Sequence, residues 1–158
     1  MTRPPLGRLL CIDHGIKRIG LAVCDGSQLI ARELSVLVRK SKQEDFDAIN
    51  RVAAQQTVVA VVIGIPYNES DQPGVHSQAD TVRLWAERYG ATTPLPLFFW
   101  DEQLTSEDAK DLARQQRRKP DAPVDDLAAR VILQSYIDAL RAGLAGQDEQ
   151  QNEQDKLT

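Results

Sequence analysis

The chain has 158 residues, room for one domain with its own core and too few for two ordinary ones. Its 42% hydrophobic and 27% charged residues exclude a wholly disordered chain, and no apolar run reaches the ~20 residues that cross a bilayer. The net charge of −4 is uneven: residues 146–158 hold Asp148, Glu149, Glu153 and Asp155 against Lys156, leaving −1 on the rest, so charge does not exclude a nucleic-acid partner.

Residues 1–7 carry only Arg3 as a charge and lack the apolar stretch of a secretory signal, so the cytoplasm is the expected location, with no membrane partner. Residues 8–13 (RLLCID) and 18–25 (RIGLAVCD) read as two strands joined by a tight turn, with Gly15 available for a positive φ. Cys11 and Cys24 sit inside these runs as small reduced hydrophobes, and with His14 and His76 they form no zinc spacing. Leu34, Val36 and Val38 alternate as in a third strand. Ser41 with Glu44 then resembles a capping box, followed at helical spacing by Phe46, Ile49, Val52 and Ala53.

Residues 58–63 (VVAVVI) form a β-branched run suited to a strand buried on both faces. Beyond a turn-rich loop to Gly74, Val75, Ala79, Val82, Ala86 and Tyr89 make a helical stripe with Gly90 at the C-cap. Residues 95–100 (LPLFFW) read as a short strand that Pro96 pushes towards a strand start or an edge. Thr105 with Asp108 opens a further helix, and residues 114–119 (RQQRRK) make a basic loop. Residues 124–140 are apolar around most of their circumference, as in a well-buried helix, and the polar tail from Gly146 is expected to be disordered. The order βββαβαβαα predicts an α/β fold, a mixed five-stranded sheet flanked by helices, with residues 1–145 as its domain and 146–158 as an acidic tail.

Three carboxylates fall where chains turn. Asp13 ends the first strand, Glu102 follows the last, and Asp125 lies in the first turn of the final helix. Each has an ordinary explanation: turn initiation for Asp13, the common run of acids after a strand for Glu102, with Asp101 beside it as a helix cap, and a favourable helix end for Asp125 and Asp126. Together, two acids at strand ends and one at a helix start suit the ligand crevice of an open α/β sheet. Hard divalent cations such as Mg²⁺ or Mn²⁺ want oxygen ligands, and three carboxylates can hold two such ions about 3.5–4 Å apart, one activating water and the other stabilising a leaving oxygen. The acids support a metal without identifying it.

Residues 12–20 (IDHGIKRIG) resemble the opening motif of the YqgF (RuvX) family of pre-16S rRNA nucleases, which are similar to Holliday junction resolvases. Residues 63–68 (IGIPYN), 100–105 (WDEQLT) and 124–136 (VDDLAARVILQSY) resemble that family's later blocks, in family order. The resemblance implies a ribonuclease H-like fold and metal-dependent phosphodiester hydrolysis, with Asp13, Glu102 and Asp125 as catalytic and metal-binding acids. It further implies a role in maturing the 5′ end of precursor 16S rRNA, with the pre-30S ribosome as a setting. Asp126 falls at a variable position. Lys17 and Arg18 match the motif and are candidates for phosphate contact or simply solvated turn residues. Arg114, Arg117, Arg118 and Lys119 would track the nucleic-acid backbone, although a solvated basic turn explains that cluster equally well. Gln103 stands where the family usually has Arg, and Ile16 where a small hydroxyl residue is common.

Other readings compete. A resolvase acting on branched DNA would use the same fold. The Asp-x-Gly element also resembles the first phosphate loop of actin-like ATPases, which normally need two lobes. A non-catalytic ribosome-assembly factor would keep the fold without the chemistry.

Overall fold

A computed structural model describes residues 3–68, 70–104 and 124–145, without the side chains of residues 104 and 124–126. Its elements are β1 (Leu9–His14), β2 (Arg18–Cys24), β3 (Ala31–Val38), α1 (Lys42–Gln55), β4 (Ala60–Ile65), α2 (Gln78–Gly90) and β5 (Leu97–Asp101). A 3₁₀ turn (Glu102–Leu104) and α3 (Val124–Arg141) complete the described chain. The expected helix at Thr105–Asp108, the basic loop and the tail fall outside the described residues.

The strands lie in the order β3-β2-β1-β4-β5. Short turns leave β1, β2 and β3 antiparallel, whereas crossovers through α1 and α2 make β4 parallel to β1 and β5 parallel to β4. The expected mixed five-stranded sheet is therefore present, with β5 at an edge and Pro96 just before it.

Alternation along the central strands splits the core in two. Leu10, Ile12, Val61, Ile63 and Ile65 face α1 and α2, where they meet Phe46, Ile49, Trp85 and Tyr89. Leu9, Cys11, Ala60 and Val62 face α3, where Ala129, Ile132, Leu133 and Ile137 cover them. Burial on both faces accounts for the unbroken apolar run of β4. Cys11 and Cys24 are buried free thiols, as expected.

Four local readings change. Gly15 has no positive φ; its N–H donates to the Arg18 carbonyl at 2.9 Å, and a Cβ there would lie 2.5 Å from that oxygen, so the turn needs glycine for clearance. In β3, Leu21 pairs with Ser35 and Ala22 with Glu33, leaving Leu34 as an extra residue. That bulge flips the phase, so Leu34 and Leu37 pack on the core and Val38 is 66% exposed. Val75 is 60% exposed and lies outside the helix, because Ser77 and Asp80 form a reciprocal capping box that starts α2 later. Gly90 remains helical, and a Cβ there would meet Leu97 Cδ1 at 2.9 Å; close helix–strand packing, and not a left-handed cap, selects it. At α1, Ser41 is the N-cap, accepting from Glu44 N–H at 3.2 Å.

Candidate active site

From β1 the chain proceeds to β2 and β3 on one side, and from β4 to β5 on the other. The C-terminal ends of β1 and β4 thus flank the point where the connections diverge, the place where open α/β sheets form a crevice. Asp13 stands at the end of β1 and shares the α3-side parity of Leu9 and Cys11. Glu102 opens the 3₁₀ turn directly after β5, whose C-terminal end lies on the same side of the sheet.

Gly64 lets these two acids meet. It lies on β4, opposite Trp100 of β5, and one residue beyond the pairing of Ile12 with Ile63. A Cβ on Gly64 would come within 3.0 Å of Glu102 Cγ, Glu102 Oε1 and Ile132 Cδ1. The missing side chain leaves room for Glu102 to lie back across β4 towards Asp13. Gly20, paired with Asp13 on the other side, likewise presents no side chain.

Below Glu102, Trp100 Nε1 donates to Ser135 Oγ at 3.1 Å, and its ring meets Tyr136 edge-on at 5.5 Å. These contacts tie the end of β5 to α3. Asp101 accepts from the Gln103 N–H at 2.9 Å, so it caps the 3₁₀ turn, the ordinary role open to it from sequence.

Asp13 acts on the Glu102 carboxyl. Burial pushes the Glu102 carboxyl up to about 8; the negative charge of Asp13, a hydrogen bond that protonated Glu102 gives Asp13, and the charge of Asp101 push the same way. Burial also raises the Cys11 thiol well above its usual value, with Asp13 and Glu102 adding to the effect, so Cys11 is a protonated thiol in the floor beneath the pair. On the opposite face of the sheet, His14 packs its ring 4.8 Å from Trp85, and burial beside Arg39 lowers it to about 4. A neutral imidazole there serves packing.

Asp125 lies in the first turn of α3, and its side chain is outside the described residues. Along α3, Arg130 pairs with Glu33 at 3.0 Å and Gln134 accepts from Ala31 N–H at 2.8 Å, so the helix advances away from the Asp13 end of the sheet. Its first turn therefore belongs to the Asp13 end. Asp125 precedes Ile132 by seven residues, two helical turns, and Ile132 reaches the Gly64 position. Among the described residues no group of three potential ligands stands together; the described pair is Asp13 and Glu102.

Lys17 and Arg18 are exposed on and just after the β1–β2 turn, at this same end. Arg39 braces that turn, its guanidinium donating to the Gly15 carbonyl at 3.0 Å while it faces buried Asp45 at 3.8 Å. Arg114, Arg117, Arg118 and Lys119 lie outside the described residues. The part played by Gly64 was missed in the sequence, although a glycine ending a β-branched run was the available signal.

The profile of the RuvX family, described as Holliday junction resolvase, matches residues 7–139. A protein of Syntrophus aciditrophicus named "Putative pre-16S rRNA nuclease" is 38% identical over 136 residues, covering 84% of this chain and 89% of its own. One of the same name from Thermosynechococcus vestitus is 36% identical over 149 residues, covering 90% and 97%. Among solved structures, Thermus thermophilus RuvC in complex with a Holliday junction substrate superimposes with a TM-score of 0.59 at 18% identity, over 88% of this chain and 98% of that one. This last likeness concerns the fold, which is the expected ribonuclease H-like one. By the match along most of its length and the identity to these relatives, the chain belongs to the RuvX family.

Proposed function

We propose that this protein is a divalent-metal-dependent nuclease that hydrolyses phosphodiester bonds in precursor 16S rRNA, in the cytoplasm, with Asp13, Glu102 and Asp125 as its metal-holding acids. The observation that carries the reading is the Asp13–Glu102 pair at the crevice, with Glu102 held at about 8. Two carboxyls that share a proton form a donor set a hard cation would satisfy, so these residues fit Mg²⁺ or Mn²⁺. Metal bound there would supply positive charge for the scissile phosphate and an activated water.

The chain's own residues do the rest. Gly64 clears the space in which Glu102 reaches Asp13. Trp100 and Ser135 hold the strand end that carries Glu102. Lys17 and Arg18, both exposed, are proposed to meet phosphates flanking the cut, and Arg114, Arg117, Arg118 and Lys119 to follow the backbone farther out. The family description, Holliday junction resolvase, favours a second reading in which branched DNA is the substrate.

The test incubates wild-type protein and Asp13→Asn with labelled precursor 16S rRNA fragments and with four-way DNA junctions, in Mg²⁺, in Mn²⁺ and in chelator. Metal-dependent cutting of the RNA that disappears in Asp13→Asn is the expected result. Cutting confined to junctions would transfer the site to DNA. Equal cutting by both proteins would remove Asp13 from the chemistry.

A further inference from the structure

Beside Glu102 a cleft of about 700 Å³ opens between the β4–α2 loop and the 3₁₀ turn, lined by Pro66, Tyr67, Asn68, Gln78, Glu102 and Gln103. Its size lies within the usual range for small-molecule sites. Tyr67 is 37% exposed, and it is the one aromatic among the described large hydrophobics that face solvent.

Tyr67 is anchored at its backbone and at its hydroxyl. The Tyr67 N–H donates to the Ile65 carbonyl at 3.0 Å, Gln103 Nε2 donates to the Tyr67 carbonyl, and Arg83 donates to the Tyr67 hydroxyl. The Arg83 guanidinium lies 5.6 Å from the Tyr67 ring centroid and 5.1 Å from that of Phe99. Asp71, also on the cleft wall, accepts from the Asn68 N–H at 3.0 Å, and Ser70 N–H donates to Asn68 Oδ1 at 3.1 Å, which closes the loop on itself. A solvent-facing aromatic whose backbone is anchored on both sides costs little entropy when a flat group stacks on it.

We infer that this cleft is a subsite for one unpaired nucleotide next to the scissile phosphate, with Tyr67 as the stacking platform and Arg83 as its cationic support. The inference rests on the reading of Asp13 and Glu102 as the reacting end. A base in a duplex already has both faces stacked, whereas a single strand offers its bases to an aromatic side chain. The amides of Gln78 and Gln103, both exposed on the cleft wall, suit the polar edge of a base or its sugar. Gln103 thus has two uses that an Arg would combine differently: it fastens the Tyr67 backbone and adds no charge to the cleft.

The test measures binding without cleavage. Wild type, Tyr67→Phe and Tyr67→Leu are titrated in chelator against a labelled single-stranded oligoribonucleotide, its deoxy counterpart and a blunt duplex of the same sequence, by fluorescence anisotropy. Tyr67→Leu should weaken single-strand binding by about tenfold or more and leave the duplex unchanged, while Tyr67→Phe, which keeps the ring, should stay within about twofold of wild type. A loss on both ribo- and deoxy-strands means that the platform ignores the sugar; a loss on one names the strand it takes, and either supports the subsite. Equal single-strand binding by all three proteins overturns it. So does an equal loss on duplex and single strand, or the absence of any single-strand binding by wild type. Failure of metal-dependent cutting in the nuclease assay would remove that reading and leave this binding result standing; cutting with Tyr67-independent binding would remove the subsite alone.

Discussion

Replacing Glu102 by Gln tests the carboxyl pair through stability, with no need for a substrate. In the folded protein Glu102 titrates at about 8, against 4.5 for the ordinary side chain. A folded value raised above the unfolded one means that the native state holds the proton more tightly. The stabilisation is therefore complete below pH 4.5 and is lost as pH rises through about 8. At about 1.4 kcal/mol per pH unit the ceiling is about 5 kcal/mol. Partial exposure of the carboxyl and sharing of the proton with Asp13 reduce it, and about 2 kcal/mol is the working figure. His14, lowered to about 4, acts with the opposite sign: its contribution is present above 6.5 and lost as pH falls. Both proteins carry His14, so it cancels in their difference. Urea unfolding in chelator at about pH 5 and about pH 8.5 should show wild type losing about 1 M of midpoint relative to Glu102→Gln as pH rises. Adding Mg²⁺ at the higher pH should restore wild type and not the variant. If the two proteins keep the same midpoint difference at both pH values, Glu102 does not share a proton with Asp13 and the reasoning fails.

Gly64→Ala should displace Glu102, because its Cβ would lie 3.0 Å from both Cγ and Oε1 of that residue. Steady-state kinetics should show kcat falling by about 100-fold, with a stability cost of about 1–3 kcal/mol in thermal unfolding. Leu133→Ala empties a fully buried position between α3 and the sheet and should cost about 2–5 kcal/mol in urea titration. Ser77→Ala removes one half of the α2 capping box and should cost about 1 kcal/mol, read as a lower midpoint with cleavage unchanged.

The sequence alone determined the order of the described elements, the mixed sheet and the double-sided burial of β4, because short turns and helical crossovers dictate strand direction and hydrophobic period dictates faces. It also placed Asp13 and Glu102 at strand ends, since both follow apolar runs that stop abruptly. Their meeting was not written locally. It depends on β4 lying between β1 and β5 and on a glycine at the one β4 position that Glu102 must cross, and sheet order is a long-range property. The phase of β3 was hidden for a similar reason: the extra residue at Leu34 is visible only against its partner strand. Tyr67 reads as an ordinary loop residue until Gln103, 36 positions later, and Arg83, from another element, close on it. Pattern along a chain reports which face a residue takes, whereas the approach of residues far apart in sequence is decided only when the sheet assembles and excludes other arrangements by packing.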